Sequence, residues 1–181
     1  MFTPSLDDVE NYHVEHLNNG TPYWLASRTL WTDHHAATLA DFRGLGWEGQ
    51  AANAALTRIG RDEATASRAA TTVQDAEATV WAGVGDLMAL KSEAMAAIDA
   101  AREAGFIVNQ DFSLTDKTAV PVEQAAARQD QAEELSSNIV AAVEALYDHD
   151  ATVAARLEAH GAQLEATQFA DGKPISGISV G

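Results

Sequence analysis

The sequence predicts an all-α protein, an elongated helical bundle built on two long antiparallel helices. Alanine is the commonest of its 181 residues, only four prolines occur, and long stretches carry apolar residues at intervals of three or four. One helical domain is therefore expected over residues 1–169. The remaining residues 170–181 are rich in glycine and serine and are expected to form a linker or flexible tail.

Capping residues and apolar spacing together predict four helices. They cover residues 5–17, 21–42, 50–103 and 121–169. Ser5 is the N-cap of the first helix, Thr21-Pro22 opens the second, and Gly105 stops the third as its C′ residue. Gly83 and Gly85 interrupt the third pattern, where we expect a kink or a tight helix crossing and no hairpin.

Two further features complete the fold prediction. Apolar residues alternate at Phe106, Val108, Phe112 and Leu114, which predicts a small extended connection or β-hairpin near 106–118. The last helix carries apolar or small residues at nearly heptad spacing, so it needs a long partner, and the preceding helix provides one. His149 and His160 lie on or beside this seam, where polar residues can set the register of two helices.

Composition excludes several classes of partner and site. Eleven Lys and Arg against 27 Asp and Glu give a net charge of −16, which repels phosphate backbones, so no nucleic-acid partner is expected. Without cysteine there are no disulfides, thiolate metal sites or cysteine nucleophile. The N-terminal residues lack the pattern of a cleaved signal peptide, and no transmembrane segment is expected.

Catalytic chemistry is not predicted. No phosphate-binding loop, nucleophile elbow or zinc-protease motif occurs, and we expect no enzyme activity, cofactor or metal. The alternative is a carboxylate and histidine metal site at Glu10, His13 and His16, because Glu10-x-x-His13 resembles half of a di-iron bundle motif. A second Glu-x-x-His is absent from the sequence.

The stretch "RGLGWEGQAA", residues 43–52, separates two helical patterns. Gly44 could close the first helix in a left-handed conformation, and Gly46 and Gly49 allow a sharp turn. Trp47 could then lie across the ends of both helices. The candidate interaction and turn residues are Trp24, Trp31, Leu45, Gly46, Trp47 and Gly49, with Gly49 serving backbone geometry and the aromatic and leucine side chains serving packing or display.

A helix, a Trp-x-Gly turn and an Ala-rich helix together resemble the WXG family of type VII (ESX) secretion substrates of mycobacteria and related Gram-positive bacteria. Trp47-Glu48-Gly49 is the matching tripeptide. "WEGQAANAAL" and the later "AAREAGFIVNQDFSLTD" are also similar to the N-terminal regions of larger mycobacterial proteins with WXG-like domains, several of which carry toxins downstream. The resemblance extends over about residues 5–169.

The resemblance implies a module for secretion targeting and helical pairing. It would be exported through the type VII machinery without a cleaved signal peptide, paired with a small WXG-type helical protein, and would reside in the cytoplasm before export and outside the cell or at its surface afterwards. The family's export signal, Tyr-x-x-x-Asp/Glu, is absent here, since Tyr12, Tyr23 and Tyr147 are followed four residues on by His, Ser and Ala. That signal is expected on a partner or outside this segment.

A second hypothesis is structural. The same bundle could self-assemble into a ring or pore-like oligomer at a cell surface. The charge of −16 per subunit should oppose such assembly until carboxylates are protonated.

Overall fold

The structure, a computed structural model, describes residues 3–19, 21–118 and 121–168, and of residues 18 and 21–23 it describes the backbone alone. These residues form helices α1 (Leu6–Glu10), α2 (Glu15–Asn18), α3 (Thr21–Gly44) and α4 (Gln50–Glu103), strands β1 (Phe106–Val108) and β2 (Leu114–Asp116), and helix α5 (Val122–Glu165). The predicted all-α bundle is confirmed, because α4 and α5 contain 54 and 44 residues and each strand contains three. The predicted tail and Phe169 lie outside the described residues.

The chain forms two compact units that share its long helices. Unit 1 comprises Met1–His16 with Ala82–Thr152, and unit 2 comprises Leu17–Trp81 with Val153–Gly181. The division falls inside α4, which is helical through Gly83 and Gly85. No hairpin forms there, as expected, while the kink and the single-domain assignment stay predictions.

Unit 1 has its core between α4 and α5. Ala94, Ile98 and Ala101 of α4 share one buried cluster with Ile139 and Val143 of α5. The small alanine side chains allow the helices to approach closely, and the larger side chains fill the space between them. The predicted α5 seam is confirmed in both units, because none of its members is exposed. Those members are Ala132, Leu135, Ile139, Ala142, Leu146, His149, Val153, Leu157, His160 and Leu164.

The first predicted helix is wrong in its length. Ser5 caps α1 as expected and forms a capping box with Asp8, but α1 ends at Glu10 and a separate α2 follows. The cause lies far along the chain, because Lys91 Nζ donates to the carbonyl oxygens of Glu10 (3.1 Å) and Tyr12 (2.8 Å). These carbonyls are thereby satisfied outside a helix, which removes the need to continue α1.

Other contacts hold the N-terminal segment on unit 1. Leu6 and Val9 are buried in the α4–α5 cluster, and Arg102 donates to Glu10 Oε1 at 2.6 Å. The ring of Tyr12 meets that of Tyr147 edge to face, with centroids 5.7 Å apart. Burial, and secondly the negative charge of Asp150, raise the pKa of the Tyr12 phenol.

The predicted β-hairpin is confirmed over 106–116. Strands β1 and β2 pair antiparallel, with Phe106 opposite Asp116 and Val108 opposite Leu114. Gly105 has φ +88° directly after α4, which is the left-handed conformation expected for a residue that stops a helix. The alternation of apolar residues therefore places Phe106 and Val108 in the protein interior.

Arg128 of α5 fastens the hairpin to the end of α4. Its guanidinium donates to both carboxylate oxygens of Asp116 (2.7 and 3.1 Å) and to the carbonyl oxygen of Ala104 (2.6 Å). It also lies 3.8 Å from the centre of the Phe106 ring. One planar side chain thus binds the helix end, the strand and the aromatic core at once.

Unit 2 packs α3 against α4 and the end of α5. Arg28 of α3 lies 3.5 Å from Glu77 of α4. Ala69 and Val73 of α4 are buried together with Leu164 of α5, and the indoles of α3 pack against this cluster. Because five residues join α3 to α4, the two helices are antiparallel neighbours.

Phe112 provides a test of the hairpin turn. It has φ +64° and is 5% exposed, so burial of its ring opposes the strain of a left-handed backbone. We expect Phe112→Ala to lower the free energy of unfolding by about 3–4 kcal/mol, and Phe112→Gly by about 0.5–1 kcal/mol less, because glycine relieves the strain. Urea unfolding of both variants measures the difference. A glycine variant less stable than the alanine variant would contradict this account of the turn.

Candidate interaction site at the Trp-x-Gly turn

The turn between α3 and α4 has the geometry of a tight helix-to-helix connection. Gly46 and Gly49 have φ +61° and +100°, conformations that strain other residues. The expectation for Gly44 is wrong, since it is the last residue of α3 and its φ is not positive. Helical hydrogen bonding extends one residue further, through Leu45 N–H to the Phe42 carbonyl oxygen (3.3 Å), and the left-handed position therefore falls on Gly46.

The turn displays two large apolar side chains. Leu45 is 71% exposed and Trp47 is 53% exposed. The Trp47 ring lies against Phe42 of α3, with centroids 5.6 Å apart and planes tilted by 54°. Phe42 thus orients the indole while leaving half of its surface to solvent. An ordered, half-exposed tryptophan beside an exposed leucine has the character of a protein-binding hot spot.

Trp24 and Trp31 serve a different purpose. Both are partly buried and pack against the cluster of Ala69, Val73 and Leu164. They lie along α3, and the structure does not bring them to the turn. The six predicted residues therefore divide into a packing pair, Trp24 and Trp31, and a turn group formed by Leu45, Gly46, Trp47 and Gly49.

Residues 32–66 form the outer part of the α3–α4 pair, here called the hairpin tip. Helix α5 ends at Glu165, one residue after Leu164 reaches Ala69 and Val73. The seventeen residues of α4 in the hairpin tip, 50–66, span roughly 25 Å. Several apolar side chains of the hairpin tip are half-buried. These are Leu39, Phe42, Leu56 and Ile59.

Each unit contains a concave region. In unit 2 a cavity of about 10 Å³ lies beside Trp24 and His160, room for roughly one water molecule. In unit 1 an open groove of about 500 Å³ lies between Leu114 and α5. Its lining includes the carboxylate of Glu133, which accepts a hydrogen bond from Gln129, and the hydroxyl of Ser136, which donates to the Phe112 carbonyl oxygen.

Two of the three residues of the alternative metal site, Glu10 and His16, have other side-chain contacts. The Glu10 carboxylate binds Arg102, while His16 approaches the His13 carbonyl oxygen through Nδ1 (3.0 Å) and Asp150 through Nε2 (3.9 Å). Over residues 3–19, 21–118 and 121–168, no three His, Asp or Glu side chains converge as metal ligands would. No helix among these residues is long and apolar enough to cross a membrane.

Sequence reasoning missed two residues that shape these sites. Phe42 was predicted only as the last residue of the helix over 21–42, although its position five residues before Trp47 places both rings at the same helix end. The role of Arg128 could not be predicted from local sequence patterns, because its partners Asp116 and Ala104 are 12 and 24 residues away and belong to other elements.

Comparison with known proteins finds mycobacterial relatives. Uncharacterized proteins of Mycobacterium bovis and of two strains of Mycobacterium tuberculosis are each 28% identical to this chain over 172 residues. The match covers 94% of the chain and 53% of each relative, so the chain spans about half the length of the curated relatives it matches. No protein-family model matches the chain. No solved structure matches it either.

The turn glycines can be tested against a helical glycine. An added Cβ meets no atom within 4 Å at Gly46, Gly49 or Gly60, so substitution changes only the backbone energy. Gly46→Ala and Gly49→Ala should each lower the free energy of unfolding by about 1–2 kcal/mol, because their φ is positive. Gly60→Ala, inside α4, should raise it by about 0.5–1 kcal/mol. Chemical denaturation of the three variants gives the comparison, and equal effects at all three positions would contradict it.

The division of the tryptophans predicts unequal effects on stability. Trp31→Ala removes a side chain from the Ala69 and Val73 cluster and should lower the free energy of unfolding by about 2–3 kcal/mol. Trp47→Ala should cost less than about 1 kcal/mol, because half of the indole is exposed. Thermal unfolding followed by circular dichroism distinguishes them. A larger loss for Trp47→Ala would mean that the turn tryptophan is structural.

Proposed function

We propose that this chain is a non-enzymatic module for secretion targeting and helical pairing in a type VII (ESX) secretion substrate. The observation that carries the proposal is the exposure of Leu45 and Trp47 on a tight helix-to-helix turn. Left-handed glycines and the Phe42 ring give these side chains one defined arrangement. A fixed apolar shape on the outside of a helical pair is suited to recognition by another protein.

The hairpin tip supports the pairing part of the proposal. Its half-buried apolar face would gain further burial from a partner's helices, and its end carries Trp47. Complete burial of one large apolar side chain contributes about 1.5–3 kcal/mol. A small WXG-type helical protein that covers the hairpin tip is the proposed partner, and the resulting four-helix arrangement would complete the packing that two helices leave open.

Two other observations agree with export by this route. The chain's relatives occur in mycobacteria, the group in which the resembling secretion substrates occur. The long helices fit a protein that is exported in the folded state. We accordingly propose residence in the cytoplasm before export and at the cell surface or outside the cell afterwards, with the type VII machinery as a second partner.

A secretion assay with a matched control tests the proposal. Trp81-Ala82-Gly83 is a second Trp-x-Gly tripeptide, but it lies inside α4, and Trp81 is 66% exposed. In a mycobacterial host, Trp47→Ala should reduce the secreted fraction of the full chain by at least about tenfold, equivalent to ~1.4 kcal/mol of recognition. Trp81→Ala should leave it unchanged. Immunoblots of culture filtrate and cell lysate measure the fractions.

Two outcomes of the secretion assay, and one measurement on the purified chain, would count against the proposal. Secretion that persists in a strain lacking the type VII membrane ATPase would exclude the route, and equal effects of the two substitutions would exclude the turn as the recognised feature. A purified chain that light scattering finds as a large homo-oligomer at neutral pH would favour the self-assembling structural function over pairing.

A further inference from the structure

The two histidines of the α5 seam have different surroundings. In unit 1, His149 Nε2 is buried and forms no hydrogen bond among the described residues, but it lies 3.4 Å from a carboxylate oxygen of Asp86. In unit 2, His160 borders the cavity beside Trp24, and the other residues of that lining are apolar or small apart from Ser27. A proton on His149 would therefore lie near the negative charge of Asp86, whereas a proton on His160 would lie against apolar side chains.

Hydrogen bonding determines which ring nitrogen of His160 carries the proton at neutral pH. The Thr79 hydroxyl donates its single hydrogen to the Asp75 carbonyl oxygen at 2.9 Å. His160 Nε2 lies 3.3 Å from the same hydroxyl oxygen, so Nε2 must be the donor in this contact. Nδ1 is then the unprotonated nitrogen. It is buried and has no hydrogen-bond partner among the residues that the structure describes.

Charging His160 would place a second N–H group at Nδ1, where no acceptor faces it. Among the charged groups beside the lining residues, Arg28 of α3 and Glu77 of α4 lie 3.5 Å apart as an ion pair. One Glu77 oxygen is buried without a hydrogen bond, but neither residue lines the cavity. Asp75 of α4 and Glu158 of α5 are exposed. On α5 itself, Arg156 is one turn away and exposed, and it would repel an imidazolium. A buried N–H without an acceptor destabilises the closed packing.

We propose that mild acid selectively loosens unit 2: protonation of His160 releases the C-terminal part of α5, residues 153–165, from Trp24 and Val73, while unit 1 stays packed. The open form binds the additional proton more readily because solvent can then accept its hydrogen bond. The equilibrium therefore moves towards the open form as pH falls through the range in which histidines ordinarily charge, about pH 5–8. Opening exposes the indole faces of Trp24 and Trp31.

Unit 1 retains its packing over the same range for two reasons. His149 Nε2 lies 3.4 Å from a carboxylate oxygen of Asp86, and His16 Nε2 lies 3.9 Å from one of Asp150, so both rings face carboxylates. The Arg128 guanidinium also holds the pKa of Asp116 down at about 2, below its ordinary 3.8. Because this pKa is lowered on folding, its contribution to stability is present above pH 3.8 and is lost only as pH falls towards 2.

This inference is independent of the proposed function, since it concerns packing within one chain. Hydrogen exchange of the full-length protein at about pH 7.5 and about pH 5.5 tests it, with rates corrected for the chemical dependence of exchange on pH. Amides of residues 153–165 should exchange about tenfold faster at the lower pH, and those of 92–102 and 139–150 should change by less than about twofold. His160→Gln should abolish the difference, because its amide can still donate to Thr79 but does not titrate. His149→Gln should retain it.

The possible results separate clearly. No acceleration in the native protein, equal acceleration in both units, or acceleration that survives His160→Gln would each overturn the proposal. If His160→Gln does not fold, a measurement on the unsubstituted protein tests the proposal instead. NMR titration of the His160 ring must then follow the same pH midpoint as the opening of residues 153–165, and different midpoints would overturn the proposal.

Discussion

The close contact between α4 and α5 is the constraint on which the remaining structure depends. Alanines at the contact, such as Ala94 and Ala101, are fully buried, and their small side chains allow a short distance between the helix axes. Leu6 and Val9 of α1 and Phe112 of the hairpin then enter the same cluster. In unit 2 the same two helices meet again, so each unit is built around a different length of one helix pair. A bulky residue at these alanines would separate the helices and disturb every element that packs on them.

Sequence patterns predicted those parts of the fold that are specified by neighbouring residues. The Ser5 cap, the stop at Gly105, the alternation in 106–116 and the seam of α5 are all local signals, and the structure confirms each. The break after α1 was not predictable, because it depends on Lys91, about eighty residues further along. In α4, Leu87 is fully buried, whereas the adjacent Met88 is 60% exposed. Two adjacent apolar residues fit one stripe equally well, and only the position of the partner helix selects between them.

The candidate site, too, was predicted from the sequence only in part. The glycine spacing indicated a turn, and the turn is present, but the glycine that adopts the left-handed conformation is Gly46 and not Gly44. The sequence positions of the four tryptophans did not indicate how exposed each side chain is. In the structure Trp24 and Trp31 are partly buried, and Trp47 and Trp81 are exposed. Trp47 and Trp81 occupy identical tripeptide patterns in different settings, one in a turn and one inside a helix. What distinguishes them is the backbone around them, which residue spacing describes only in part.

The contacts of α1 have a consequence for the order in which the chain folds during synthesis. Its partners include Gln110 and Arg102, 103 and 92 residues beyond the residues they bind, and its buried cluster includes Ile139 and Val143. The α3–α4 hairpin instead closes over a five-residue turn and can form as soon as both helices have left the ribosome. Helix α1 therefore completes its packing after the α3–α4 hairpin, although it precedes that hairpin in the chain. Until α5 emerges, Leu6 and Val9 remain accessible to chaperones, and unit 1 becomes resistant to proteases only after α5 has been synthesised.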